Sequence, residues 1–178
     1  MQTTTRTIIL KPEELEILKA HLAGKNENRP ALQNLIAYDQ YLCATDGHAL
    51  VAIKENYNLL APGSWKILHV NKDSKVFYEV MLQFMEDQPP DVSYYIDQQG
   101  CSGARFEILI NKKESCTITR QLLGIFKNTN KAIQFDFIKR LHYPTAWIYR
   151  ASCTAHDKVL ALTNEDPNIQ AYILPFKM

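Results

Sequence analysis

What these 178 residues lack narrows the reading first. None of the four cysteines, Cys43, Cys101, Cys116 and Cys153, falls in a C-x-x-C pair. Zinc and thioredoxin-type chemistry therefore find no ligand spacing. No charged-then-apolar leader opens the chain, and no apolar run reaches the roughly 20 residues that span a bilayer. No stretch is low in complexity. Neither sign of charge dominates: 20 Lys and Arg stand against 19 Asp and Glu, for a formal net charge of +1. Such a balance does not advertise a nucleic-acid binder. These absences point to a cytoplasmic protein with no membrane association, no cofactor, and reduced, mostly buried thiols.

What is present is the composition of a folded protein. Hydrophobic residues make up 46% and charged residues 22%, enough apolar surface for a core and enough charge for solubility. The length suits one ordinary domain, or one and a half small modules. The charge is uneven along the chain. From Ile118 to Met178 there are eight Lys or Arg against four Asp or Glu, and twelve against fifteen before that.

Thr7–Leu10 is a short strand-like run. Pro12 then presets a first helical turn that carries Glu13 and Glu14, where the helix dipole favours acid. Leu15, Leu18 and Leu22 follow at helical spacing, and Gly24 is a natural stop. Strands are expected at Leu32–Tyr38, Tyr41–Thr45 and, after the Asp46-Gly47 turn signal, Ala49–Lys54. The pattern then recurs. Trp65–Val70 reads as a strand, and Phe77, Val80, Met81, Phe84 and Met85 make a helical stripe closed by Pro89 and Pro90. Val92–Ile96, Phe106–Ile110 and Cys116–Thr119 read as strands. A shorter third copy has a strand at Ile133–Phe135, Asp136 as N-cap, a helix over Phe137–His142, and strands at Ala146–Ala151, Lys158–Thr163 and Gln170–Leu174. The expected class is α+β, built from repeated strand-helix-strands units of roughly fifty to sixty residues with antiparallel sheets.

Tyr41-Leu42-Cys43-Ala44-Thr45-Asp46-Gly47-His48-Ala49-Leu50 resembles the ATDGHRL motif of bacterial DNA sliding clamps, the beta subunit of DNA polymerase III. Arg29-Pro30-Ala31-Leu32-Gln33-Asn34 is similar to that family's R-x-x-L-N-G strand entry. Thr119–Phe126 is similar to the segment that closes a clamp domain, with Lys127 in place of a proline. Ile133–Leu141 and the ending Tyr172–Met178 match two further family segments in order. The resemblance covers most of the chain. It implies a clamp fold, with a clamp-like domain over 5–128 made of half-modules at about 5–56 and 62–128, and an additional half-module over 129–178.

The resemblance also implies a function. In the family, the ATDGHRL segment and the C-terminal tail wall a hydrophobic pocket for short peptide motifs of replication and repair proteins. Carried over by position, the peptide-binding candidates are Thr45, Gly47, His48 and Leu50, with Leu174, Pro175, Phe176 and Lys177. Ala49 stands where the family has arginine, and Phe176 where it has methionine. The implied activity is recognition and not catalysis, with double-stranded DNA and further copies of the chain as other partners. Lys139 and Arg140 are the candidates for phosphate contact, with Lys127, Lys131 and Arg150 nearby in sequence. Two alternatives stand beside this reading. One is a small α+β enzyme that uses His48 and Asp46 as an acid–base pair. The other is a structural remnant that kept the clamp fold without a working pocket. Gly100-Cys101-Ser102-Gly103 departs from a nucleophile turn and reads as a loop.

Overall fold

The computed structural model describes residues 4–24, 28–54, 60–96, 106–110, 131–132, 135–142, 147–153, 159–165, 168–174 and 176–177. Two compact units divide the chain, Met1–Val92 and Ser93–Met178.

The first unit starts with β1 (Thr5–Leu10), and α1 (Pro12–Ala20) follows at once. Pro12 sits in the first turn with Glu13 and Glu14. The backbone N–H of Lys11 donates to Glu14 Oε2 at 2.8 Å, so a donor that the helix cannot satisfy finds a side-chain partner. Lys11 Nζ stands 4.0 Å from the same carboxylate, which is itself buried. Leu15, Ile17 and Leu18 are fully buried, each contributing roughly 1.5–3 kcal/mol by transfer from water. The helix ends at His21, whose buried ring nitrogen Nδ1 lies 2.8 Å from the Ile17 carbonyl.

Five strands follow: β2 (Leu35–Tyr38), β3 (Tyr41–Thr45), β4 (Ala49–Lys54), β5 (Gly63–Asn71) and β6 (Tyr78–Met85). Within the unit they lie in the order β1-β6-β5-β2-β3-β4, with every neighbouring pair antiparallel. α1 packs on β3 and β4. Every residue of β3 is buried, and of β4 all but Lys54. This explains why these two strands are near-continuous apolar runs. A single Cys43 thiol lies in that core, where burial pushes its pKa up and keeps it neutral. The two-residue turn between β2 and β3 puts Asp39 at φ 50°, a left-handed conformation that Asp tolerates.

Three sequence expectations need correction in or beside this unit. The stripe from Phe77 to Met85 is not helical: from Tyr78 on it is β6, paired to β1 on one side and β5 on the other. Val80 and Leu82 are fully buried while Glu79 and Met81 are exposed, which is a period of two. The same eight residues match both templates, and the two waiting strand edges decide between them. The expected strand over Leu32–Tyr38 begins only at Leu35, because Pro30 opens a 3-10 turn through Gln33. Val92–Ile96, read as a strand, contains a helical turn, α2 (Ser93–Ile96). Its buried residue Ile96 stands four positions after buried Val92, the spacing of one helical turn.

The second unit carries α2, β7 (Phe106–Ile110), β8 (Lys131–Ala132), α3 (Phe135–Lys139) with a 3-10 turn over Arg140–His142, β9 (Trp147–Cys153), β10 (Leu160–Glu165), β11 (Asn168–Ile173) and β12 (Phe176–Lys177). β7, β9, β10 and β11 lie side by side, all antiparallel, and β8 pairs with β12. Phe137, Ile138 and Leu141 bury one face of α3 and its following turn. Tyr95 of α2 meets the Tyr172 ring of β11 at 6.1 Å between centroids. Phe135 belongs to the helix and not to the strand expected at Ile133–Phe135, which places Asp136 inside the first turn. The strand expected at Cys116–Thr119, the Thr119–Phe126 segment and the loop at Gly100–Gly103 lie outside the described residues. Among the described residues the strand-helix-strands pattern is seen around α1 and around α3, and the stripe expected to be the helix of the middle copy is β6.

Candidate functional site

β3 and β4 form a hairpin whose last pair is Thr45 opposite Leu50. The turn between them is built by its own side chains. Asp46 Oδ1 accepts from the backbone N–H groups of His48 and Ala49, each at 2.9 Å. Thr45 Oγ1 donates to the Ala49 carbonyl at 2.8 Å and accepts from Gly47 N–H at 3.0 Å. Asp46 N–H donates to the Ala49 carbonyl at 3.3 Å. These are the local bonds that Asp and Thr offer in turns. Gly47 sits at φ +91°, and a Cβ there would lie 3.1 Å from Arg29 Nη2. Glycine is needed here for its backbone angle and for the guanidinium pressed against it.

The predicted residues on this hairpin divide by exposure. His48 is exposed and Gly47 partly so, whereas Thr45 is buried and Leu50 is only 2% exposed. Leu50 therefore backs the hairpin from the core. Arg29 is the residue that sequence reading did not place beside this turn. Its signal was present in the Arg29–Asn34 string, read there only as a strand entry. The carboxylate of Asp46 holds the turn through its Oδ1, which gives it a structural task. Among the described residues no group of three His, Cys, Asp or Glu side chains is placed to hold a metal ion.

In the second unit, Leu174 is half-buried at the end of β11. Phe176 and Lys177 pair with Ala132 and Lys131 as β12 and β8. Pro175 lies outside the described residues. Lys139 Nζ stands 3.5 Å from Asp136 Oδ1, and the Arg140 guanidinium lies 5.0 Å from the centre of the Phe137 ring. Of their companions, Lys131 is in β8, Arg150 is in β9, and Lys127 lies outside the described residues. No helix among the described residues is long and apolar enough to cross a membrane.

No family model and no curated protein sequence matches this chain. Solved structures do. DNA polymerase III subunit beta from Borrelia burgdorferi, in complex with a natural product, is 12% identical with a TM-score of 0.54 over 97% of this chain and 64% of that one. The beta sliding clamp of C. crescentus is 12% identical with a TM-score of 0.53, over 98% of this chain and 66% of that one. The sliding clamp of Bartonella birtlesii bound to griselimycin is 11% identical with a TM-score of 0.51, over 100% of this chain and 68% of that one. The chain thus spans about two thirds of the length of the clamps it matches. Identity this low carries the fold and leaves chemistry to be argued from the site. With antiparallel sheets and few helices among its described residues, this chain has the fold of the bacterial DNA sliding clamps.

Proposed function

We propose that this is a non-enzymatic, cytoplasmic recognition protein of DNA replication or repair that takes short peptide motifs of partner proteins. The residues assigned to that task are Thr45, Gly47, His48 and Leu50, with Leu174, Pro175, Phe176 and Lys177. The observation that carries this reading is the Thr45–Leu50 hairpin in a chain of clamp fold. Its turn is hydrogen-bonded to itself, so little ordering is left to be done on binding. Gly47 lets a ligand backbone approach, His48 offers a polar contact, and buried Leu50 supports the wall from behind. Leu174, half-buried, adds apolar surface.

The same reading gives the chain a processivity-type role beside a polymerase, with double-stranded DNA and homo-oligomerisation as parts of the proposal. Lys139 and Arg140 are its DNA-contact residues, and the module division at 5–56, 62–128 and 129–178 belongs to it as well. The test is titration of a labelled clamp-binding peptide, of the glutamine-plus-hydrophobic type, into the full chain. Saturable binding is expected, weakened at least about tenfold, or about 1.4 kcal/mol, in the Leu174→Ala/Phe176→Ala variant. Circular dichroism of the variant establishes that it is folded. A folded wild-type chain that leaves the peptide unbound refutes the proposal and leaves the clamp fold as ancestry alone.

A further inference from the structure

A second surface of the first unit has the form of a binding site and is distinct from the hairpin. It is a groove of about 600 Å³ where the end of β2, the start of β5 and the end of β6 meet the 86–92 segment. That volume is in the range of sites that enclose a ligand's side chains. It lies toward the Asp39–Gln40 turn of the β2–β3 hairpin, while the Thr45–Leu50 turn is at the other end of β3.

The floor is apolar and firmly held. Ala37 pairs with Gly63, and the Phe84 ring fills the space above that glycine, where a Cβ would stand 2.7 Å from Phe84 Cε2. Trp65 meets Phe84 edge-on at 5.3 Å between centroids, and its indole N–H donates to the Ala61 carbonyl at 2.9 Å. Met85 adds an adaptable thioether. Pro89 and Pro90 stiffen one wall. The rim carries a single sign of charge. Glu86, Asp87 and Asp91 line the groove and are exposed, and no Lys, Arg or His is among its described lining residues. Low-dielectric walls under carboxylates of one sign concentrate a field that attracts cations and repels a phosphate backbone.

We infer that this groove docks a short basic peptide segment, with a large apolar side chain seated on Phe84 and Met85 and flanking Lys or Arg residues at the Glu86 and Asp87 rim. Charge complementarity selects this occupant. An acidic or nucleic-acid ligand would meet carboxylates, and a purely apolar one would make no use of Glu86 and Asp87. The site uses none of the residues assigned to the partner-peptide function, so either can fail without the other.

The probe is a fluorescein-labelled octapeptide that alternates lysine with leucine and phenylalanine. Its control has glutamate in place of lysine. Anisotropy is read on the full chain, together with methionine-methyl NMR, in which Met85 reports the groove and exposed Met81 reports the surface outside it. The lysine peptide is expected to bind saturably, to weaken as salt rises, and to shift the Met85 methyl but not that of Met81. E86K/D87K changes only exposed positions. It should bind the lysine peptide at least about tenfold more weakly and gain affinity for the glutamate peptide. Equal affinity of the wild-type chain for both peptides overturns the proposal. So does binding that leaves Met85 unmoved, or no binding up to roughly 1 mM.

Discussion

α1 and β6 carry much the same apolar spacing, yet one is a helix and the other a strand. Leu15, Leu18 and Leu22 on one segment, and Phe77, Val80, Met81, Phe84 and Met85 on the other, both fit a 3.6-residue period. What separates them lies at their boundaries and in their neighbours. α1 has Pro12 at its start, acid in its first turn, and a Glu14 carboxylate that receives the Lys11 N–H. β6 carries Glu79 near its start but opens without a proline. It has two strands with free edges, β1 and β5, one on each side. Periodicity names the faces a segment can bury, and end chemistry and available hydrogen-bond partners choose the backbone that buries them.

The largest expected effect tests this contrast directly. Leu82→Ala should lower stability by about 2–5 kcal/mol, read from urea unfolding, because its fully buried side chain leaves a cavity. Met81→Ala, one residue away and 42% exposed, should change it by no more than about 0.5 kcal/mol. Similar losses at both positions would contradict period-two burial in β6. Gly63→Ala comes next. At φ +142°, and with its new methyl driven into the Phe84 ring, it should destabilise by roughly 1–3 kcal/mol. An unchanged urea midpoint would mean that Phe84 does not lie over Gly63.

On the helical side, Glu14→Ala removes the acceptor for Lys11 N–H and should cost about 1 kcal/mol, with a matching loss of helical ellipticity. A neutral result would transfer the start of α1 to Pro12 alone. The smallest effect has the opposite sign. Ser64 Oγ is buried without a hydrogen-bond partner, so Ser64→Ala should leave stability unchanged or raise it by up to about 1 kcal/mol. A clear loss in thermal unfolding would show that the hydroxyl is satisfied after all.

The site was legible to different depths. Tyr41–Thr45 and Ala49–Lys54 are strands with the bounds their sequence suggests, because a turn-forming Asp-Gly lies between two apolar runs. That Asp46 binds two backbone N–H groups follows from the same signal. That Leu50 turns inward does not, since a strand's two faces look alike in sequence when both are buried. Nor does the approach of Arg29 to Gly47, which joins residues eighteen positions apart. The groove over Phe84 was invisible for the same reason. Its parts come from β2, β5, β6 and the segment after β6, and the β6 contribution was hidden behind a helical reading.

The sequence by itself determined the elements that carry local signals: a proline-led, acid-started helix, an Asp-Gly hairpin, and the strand runs bounded by turn residues. It also determined the order of landmarks by which the chain resembles a sliding clamp. Only the tertiary structure decided that Phe77–Met85 is extended, that Val92–Ile96 turns, and which apolar residues face inward. The reason is energetic. Local capping and turn bonds act between near neighbours whatever the rest of the chain does. Strand pairing and burial depend on partners distant in sequence that exist only once the sheet has formed.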